Sequence, residues 1–425
     1  MGPMRPIRVL AVDDSAVMRG MLRSLFLKEG QGRSSELPAM ELCGVVEDGV
    51  QCLAAVLRLR PDAVVLDLEM PRMHGLEVLE RLRLEEPGLP VIMCSAYTER
   101  GARSTLDALA MGAADYVMKP SEQSCLATAM ETLASQLLPK IAALAGTGFE
   151  VLSGVRGKTT QHEVAGSKLS PSLAAAASSA AGGTSCAQVE IVVIGVSTGG
   201  PSALEIILPR LAEDFAVPVM IVQHMPKLFT GELAERLDRH CALRVREARD
   251  GAEVMPGTIW LAPGDAHMEV VEANHGSAAG SNGRVPKAMV LLHQQRSLNH
   301  CKPSVDYLFS SAARLYGAGT LALVMTGMGS DGLTGARRVH EAGGLVLAQD
   351  EASSAVWGMP GRVYQAGLSR EPLPLAALAG ELTRRVNAGR NGRALRESSA
   401  KSIMAPPRNG TAVSEPQSEV THGLL

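Results

Sequence analysis

The chain has 425 residues, two to three times the roughly 150 of a common domain, so one small module is excluded. Lys and Arg total 41 against 44 Asp and Glu, a formal net charge of −3, with 20% charged and 46% hydrophobic residues. That is ordinary globular composition, unlike a basic nucleic-acid binder or an acidic disordered chain, and 3% aromatic content leaves little for stacking on bases.

The seven cysteines (Cys43, Cys52, Cys94, Cys125, Cys186, Cys241, Cys301) are odd in number, and none stand at zinc-clip spacing, so they read as reduced thiols. The start, MGPMRPIRVLAVDDS, carries no apolar leader, and no run nears the roughly 18 residues of a membrane span. The expectation is a soluble cytoplasmic protein with no membrane insertion and no nucleic-acid partner.

From Ile7 to about Ala145, short apolar runs (IRVLAV, LCGVV, DAVVLDL, PVIMCSA, ADYVMK) alternate with amphipathic stretches such as VLRLR and GLEVLERLRL. Continuous runs of this kind are strands buried on both faces, joined by helical crossovers, which predicts a five-strand parallel doubly wound unit over 1–145. Residues 146–188 lose periodicity to Gly, Ser, Ala and Thr and predict a flexible linker. A second alternating region over 189–388 has strands expected at VEIVVIGV, VPVMIVQ, TIWLAP, KAMVLLH, TLALVMTG and LVLAQD. Helices are expected there at PSALEIILPRL, GELAERLDRH, SVDYLFSSAARLYG and DGLTGARRVHEAG, and ANHGSAAGSNGRVP reads as a flexible hairpin tip or an insertion between two strands. Residues 389–425 read as a disordered tail. The fold class is therefore α/β: an N-terminal doubly wound sheet followed by a doubly wound, mostly parallel second one.

In the first unit, Asp13 and Asp14 end the first strand and Asp67 the third, on the edge where open parallel sheets place their sites. Three neighbouring carboxylates repel one another unless a cation sits among them, and a hard divalent ion, Mg²⁺, suits oxygen ligands. Ser95 and Lys119 end the fourth and fifth strands and add a hydroxyl and a cation to the same edge. Each residue alone reads equally well as a helix cap, a turn hydroxyl or a surface charge. VDDS, DLEMPRMHG, MCSA and YVMKP together resemble the response-regulator receiver domain, a flavodoxin-like fold. The resemblance implies Asp67 as phosphoacceptor, Asp13, Asp14 and Asp67 around Mg²⁺, and Ser95 and Lys119 as phosphoryl contacts. His74 departs from the acidic residue usual before the glycine.

In the second unit, VEIVVIGV runs into Ser197-Thr198-Gly199-Gly200-Pro201 and then a helix. GVSTG fits the G-x-S-x-G pattern, which puts a serine on a sharp turn near helix amides. A Gly-rich turn or a phosphate cradle is the plainer reading of the motif by itself. A nucleophilic serine needs a base and an orienter. His224 ends the next strand at the same edge, with His267 as runner-up, and Asp331 follows TLALVMTG, where it could equally be a helix cap. GVSTGGP, VQHMP, LAPGDAHM, PSVD and TGMGSDG together resemble the CheB family of chemotaxis protein-glutamate methylesterases and protein-glutamine glutaminases. The resemblance implies Ser197 as nucleophile, His224 as base, Asp331 as orienter, the Met328 amide for the oxyanion and Thr198 as helper, with no cofactor for the esterase. It also implies methyl-accepting chemotaxis receptors as substrate and a chemotaxis histidine kinase as phosphodonor. The rival readings are a receiver joined to a non-catalytic partner-binding α/β module and a small-molecule esterase.

Overall fold

The computed structural model describes residues 5–28, 37–120, 125–145, 188–273, 288–299 and 301–388. The expected tail, and all but the last residue of the expected linker, lie outside these.

The N-terminal unit runs β1 (Ile7–Val12), α1 (Ala16–Lys28), β2 (Met40–Val46), α2 (Gly49–Leu59), β3 (Ala63–Asp67), α3 (Gly75–Glu85), β4 (Val91–Ser95), α4 (Glu99–Ala110), β5 (Asp115–Met118) and α5 (Leu126–Ala145). All its strands pair in parallel, in the order β2-β1-β3-β4-β5. The apolar runs force this arrangement: β3 and β4 are buried along their whole length, so helices must cover both faces. Side-chain caps start several helices, Asp48 accepting from Gln51 N for α2 and Thr98 from Gly101 N for α4.

The C-terminal unit runs β6 (Ile191–Val196), α6 (Gly200–Ile207), β7 (Val219–Gln223), α7 (Lys227–Asp238), β8 (Arg244–Glu247), β9 (Thr258–Leu261), β10 (His267–Glu272), β11 (Ala288–His293), α8 (Val305–Tyr316), β12 (Thr320–Val324), α9 (Leu333–Glu341), β13 (Leu345–Ala348) and α10 (Met359–Gln365). A last helix covers 375–388. Six strands form a parallel sheet in the order β13-β12-β6-β7-β9-β8, and β10 and β11 form a separate antiparallel pair. The tip of that hairpin, expected to be flexible, lies outside the described residues. Strands β8 and β10, helix α10 and the last helix are additions to the elements the sequence predicts. β8 is the charged tetrapeptide RVRE at the sheet edge, where one buried valine suffices.

Each sheet has a reversal of strand order beside its first strand. In the first it lies between β1 and β3, beyond which stand Asp13 and Asp67. In the second it lies between β6 and β12, beyond which stand Ser197 and the loop from Thr326. Crevices at such reversals are where α/β sheets bind ligands.

The two units are packed together. Leu106, Leu109 and Tyr116 belong to the same buried apolar cluster as Ala203, Leu204 and Phe229, and the Tyr116 and Phe229 rings stack at 4.8 Å between centroids. Around this seam, Arg103 Nε meets Glu232 Oε2 at 2.8 Å, Arg236 Nη1 meets Asp107 Oδ1 at 2.5 Å, and Ser202 Oγ donates to Leu109 O at 3.0 Å.

Candidate active site and candidate phosphoacceptor site

Ser197 sits directly beyond β6. Its N–H donates to Thr326 O at 3.0 Å, and its carbonyl accepts from Gly200 N at 2.8 Å and Gln223 Nε2 at 2.9 Å, so backbone bonds fix the turn. The turn needs its glycines. Gly199 has φ +74, a left-handed conformation that side chains disfavour, and a Cβ on Gly327 would come within 2.7 Å of Ser197 Cβ. Gly327 thereby lets the loop after β12 lie against the serine. Gly327 N donates to Val356 O at 3.0 Å, whereas Met328 N–H donates to no described group.

His224 is brought beside this turn by pairing of β6 with β7, its own N–H donating to Val196 O at 3.1 Å. The ring uses Nε2 toward Asp331 Oδ2, at 2.8 Å, which leaves Nδ1 as the basic nitrogen. Among the described residues no hydrogen bond joins Ser197 Oγ to the ring, and Nδ1 instead has Cys301 Sγ at 3.6 Å.

Asp331 is 2% exposed. It does not cap the helix that follows it, since α9 begins at Leu333 behind Gly332. Its carboxylate instead serves the start of α8: Oδ2 accepts from Val305 N at 2.7 Å as well as from His224, and Oδ1 accepts from Ser304 Oγ at 2.7 Å and Asn299 Nδ2 at 3.3 Å. Burial acts to raise its pKa, but the His224 hydrogen bond and charge, with the Ser304 and Val305 donors, outweigh burial and hold it below the ordinary carboxylate value. Burial acts to lower the pKa of His224, yet the bonds to Asp331 and Cys301 prevail and raise it to about 9.

Thr198 departs from expectation. Its hydroxyl donates to Asp115 Oδ2 of β5 at 2.8 Å, so in this arrangement it faces the N-terminal unit and is not offered to a substrate at Ser197. Asp115 Oδ2 also meets Lys140 Nζ at 2.8 Å. The runner-up base, His267, lies buried at the start of β10, where Nδ1 accepts from Ser304 N at 3.2 Å. It supports the residue that supports Asp331. Asn299, Cys301 and Ser304 are site residues to which the sequence attaches no role. Only the chain's path from β11 to α8 brings them to the triad.

At the other reversal, Lys119 Nζ lies 3.0 Å from Asp13 Oδ2 and 2.8 Å from Asp67 Oδ2. Those oxygens accept no hydrogen bond from another described group. Burial raises the pKa of both acids against the pull of Lys119, and nearby Asp13 adds to the rise that takes Asp67 to about 6. Burial acts to lower Lys119, but the two carboxylates more than offset this. One ligand oxygen from each of Asp13, Asp14 and Asp67 lies within 4.8 Å of the others. A set of three acids facing one lysine is short of positive charge, and it fits a hard divalent cation. Ser95 stands at the end of β4 as expected, but its Oγ faces Gly101 O at 3.2 Å. Asp67, Ser95 and Lys119 share a cleft of about 30 Å³, room for one water. His74 accepts from Leu76 N through Nδ1 at 3.3 Å and caps α3, so this residue leaves the other five groups in place.

A family model described as CheB methylesterase matches residues 192–382, and that of the response regulator receiver domain matches residues 9–131. A protein-glutamate methylesterase/protein-glutamine glutaminase of Trichodesmium erythraeum is 41% identical, covering 90% of this chain and 100% of the relative. One of the same name from Nocardioides sp. is 43% identical, covering 89% and 95%. The crystal structure of the Thermotoga maritima CheB methylesterase catalytic domain is 40% identical and covers 46% of this chain and 98% of that one, with a TM-score of 0.43. With such identity sustained along 90% of its length, the chain belongs to the protein-glutamate methylesterase/protein-glutamine glutaminase family, a receiver domain preceding a CheB methylesterase domain.

Proposed function

We propose that this protein is a phosphorylation-regulated serine hydrolase that demethylates glutamate methyl esters and deamidates glutamines on methyl-accepting chemotaxis receptors. The observation that carries the reading is the hydrogen-bonded pair of His224 and Asp331 beside a serine on a strand-to-helix turn. Ser197 Oγ attacks the γ-carbonyl carbon of the substrate side chain, and His224 Nδ1 takes its proton. Asp331 holds Nε2–H, fixing the tautomer and balancing the imidazolium. The Met328 amide, which donates to no described group, stabilises the oxyanion. His224 returns the proton to the leaving methoxide, and water, activated by the same nitrogen, releases glutamate from the acyl-enzyme. With glutamine as substrate the leaving group is ammonia and the steps are otherwise the same. Neither a non-catalytic binding module nor a small-molecule esterase accounts for the relatives' shared name.

The chain is read as a receiver over 1–145, a linker over 146–188 and a catalytic domain over 189–388. Asp67 is the phosphoacceptor, and a chemotaxis histidine kinase is the donor. Asp13, Asp14 and Asp67 would hold Mg²⁺, which supplies charge neutralisation when phosphate is transferred. Lys119, and Ser95 after turning from Gly101 O, would contact the phosphoryl oxygens. The receiver restrains the hydrolase through the seam, since Asp115 engages Thr198 beside the nucleophile, and Met328 packs against a buried cluster that joins receiver residues to Val356 of the hydrolase. Adding charge at Asp67 repacks that face and shifts the docked state toward an open one. Among the described residues, no helix is long and apolar enough to cross a membrane, as suits an enzyme meeting the cytoplasmic parts of receptors. Methanol release from methylated receptor tests the reading: wild type releases it and Ser197→Ala does not. Equal release by a folded Ser197→Ala protein refutes it.

A further inference from the structure

Cys301 Sγ lies 3.6 Å from His224 Nδ1, the nitrogen that Asp331 leaves available by holding Nε2 at 2.8 Å. The sulfur also lies 3.4 Å from Asn299 O. The hydrolytic reaction uses no thiol, yet this one faces the atom that must receive the Ser197 proton. The other described cysteines have no such neighbour. Burial pushes Cys52 up to about 12 and Cys241 up to about 11, and it raises Cys43 and Cys94 as well, which makes all four poor nucleophiles. Cys125 is exposed and meets Thr128 Oγ1 at 3.1 Å. Cys301, partly exposed, is thus the one described thiol paired with an imidazole, and that imidazole is itself backed by a buried carboxylate.

We propose that Cys301 is a modification site at which capture of a small disulfide blocks His224 Nδ1 and switches the hydrolase off reversibly. The switching half of the proposal rests on the hydrolytic reading; the reactivity of the thiol does not. The thiol proton passes to His224 Nδ1, and Asp331 balances the resulting imidazolium. The thiolate attacks one sulfur of the disulfide R–S–S–R. A Cys301–S–S–R bond forms as the original S–S bond breaks, and the departing thiolate takes up the proton. Cys301 is oxidised and the leaving sulfur reduced, so no further oxidant is needed, and excess thiol reverses the exchange. The added group stands where the Ser197 hydroxyl must approach Nδ1.

The test treats the full chain with 2,2′-dipyridyl disulfide and follows each cysteine by peptide mass spectrometry, alongside methanol release from methylated receptor. Cys301 is expected to be capped roughly tenfold or more faster in wild type than in His224→Gln, with Cys125 in the same molecules as the internal reference. Activity falls in step with Cys301 occupancy and returns with dithiothreitol. Cys301→Ser, compared with its own untreated rate, resists the same dose. Should that variant misfold, the wild-type relation between occupancy and activity carries the test. Equal capping of Cys301 in wild type and His224→Gln overturns the thiol–imidazole pair. Full activity at full Cys301 occupancy overturns the switch. A chain that releases no methanol before treatment, with acetyl phosphate and Mg²⁺ present, overturns the hydrolytic reading and the switch with it, while the capping contrast still decides the pair.

Discussion

The two domains each bury a carboxylate at the reversal of a parallel sheet, and the two acids move in opposite directions. Asp67 and Asp331 are both 2% exposed, yet Asp67 is raised to about 6 and Asp331 is lowered. The difference lies in their partners. Asp331 accepts from His224, Ser304, Val305 N and Asn299, so its charge is fully hydrogen-bonded and it stays an anion. Asp67 shares one lysine with Asp13 and, among the described residues, has a single long backbone donor, Glu69 N at 3.4 Å. Satisfied, a buried carboxylate is a fixed orienter; left short of donors and beside another acid, it is poised to be neutralised by a cation and a phosphoryl group.

The largest test of this contrast is on the hydrolase side. Ser197→Ala is expected to lower methyl-ester hydrolysis by about 10⁴-fold or more with the melting temperature nearly unchanged, read by methanol release and thermal unfolding. Asp331→Asn follows at about 10³–10⁴-fold in kcat, because the amide can donate to Nε2 and favour the wrong tautomer. A loss below tenfold would mean that the four hydrogen bonds serve α8 and not the chemistry.

The contrast also sets a pH profile. His224 must be neutral to accept a proton, and its pKa is raised to about 9, so kcat/KM should climb with pH through a limb lying above the ordinary histidine value of 6.5. A limb at or below 6.5 would show that Asp331 does not hold the ring during turnover. At the seam between the domains, Arg103→Ala with Arg236→Ala removes the ion pairs to Glu232 and Asp107, together with the Arg236–Glu205 pair inside the hydrolase. Each of the two seam pairs has one partner more than half exposed and contributes little, so the unphosphorylated rate should rise about 2–10-fold, and no rise would place the restraint elsewhere.

The smallest effect is on stability. Because the folded-state pKa of Asp67 lies above its ordinary 3.8, this acid destabilises the fold increasingly as pH rises from about 4 to 6 and fully above that. Asp67→Asn should therefore raise the melting temperature at pH 7 by about 2–4 °C and leave it unchanged at pH 4, while abolishing any response to phosphodonor. A lower melting temperature at pH 7 would mean that the ion pair with Lys119 outweighs burial.

Much of this was legible because strand ends announce themselves. The apolar runs ending in Asp13 and Asp67 stop at one edge of the first sheet and those ending in Ser197 and His224 at one edge of the second, and parallel pairing then dictates which side chains meet. Asp331 was legible as a candidate but not as an acceptor for the start of α8, since nothing in GMGSDG says that the loop turns toward Ser304 and Val305. Cys301 and Asn299 were silent for the same reason: they lie in irregular chain before α8, where no period constrains direction. The bond from the Thr198 hydroxyl to Asp115 was not legible, because adjacency to a nucleophile says nothing of a neighbouring domain, and Asp115 lies 83 residues away in the chain. RVRE and HMEVVE became β8 and β10 because pairing partners, not their own composition, made them strands.

The central claim is that the receiver, docked by its β5 edge and α4 against the turn bearing Ser197, governs a Ser-His-Asp hydrolase. The most direct measurement is methanol release from methylated receptor by the full chain, before and after acetyl phosphate with Mg²⁺. The account predicts a low rate that rises on phosphorylation in wild type, does not rise in Asp67→Asn and is absent in Ser197→Ala. A rate that is the same with and without phosphodonor would contradict it.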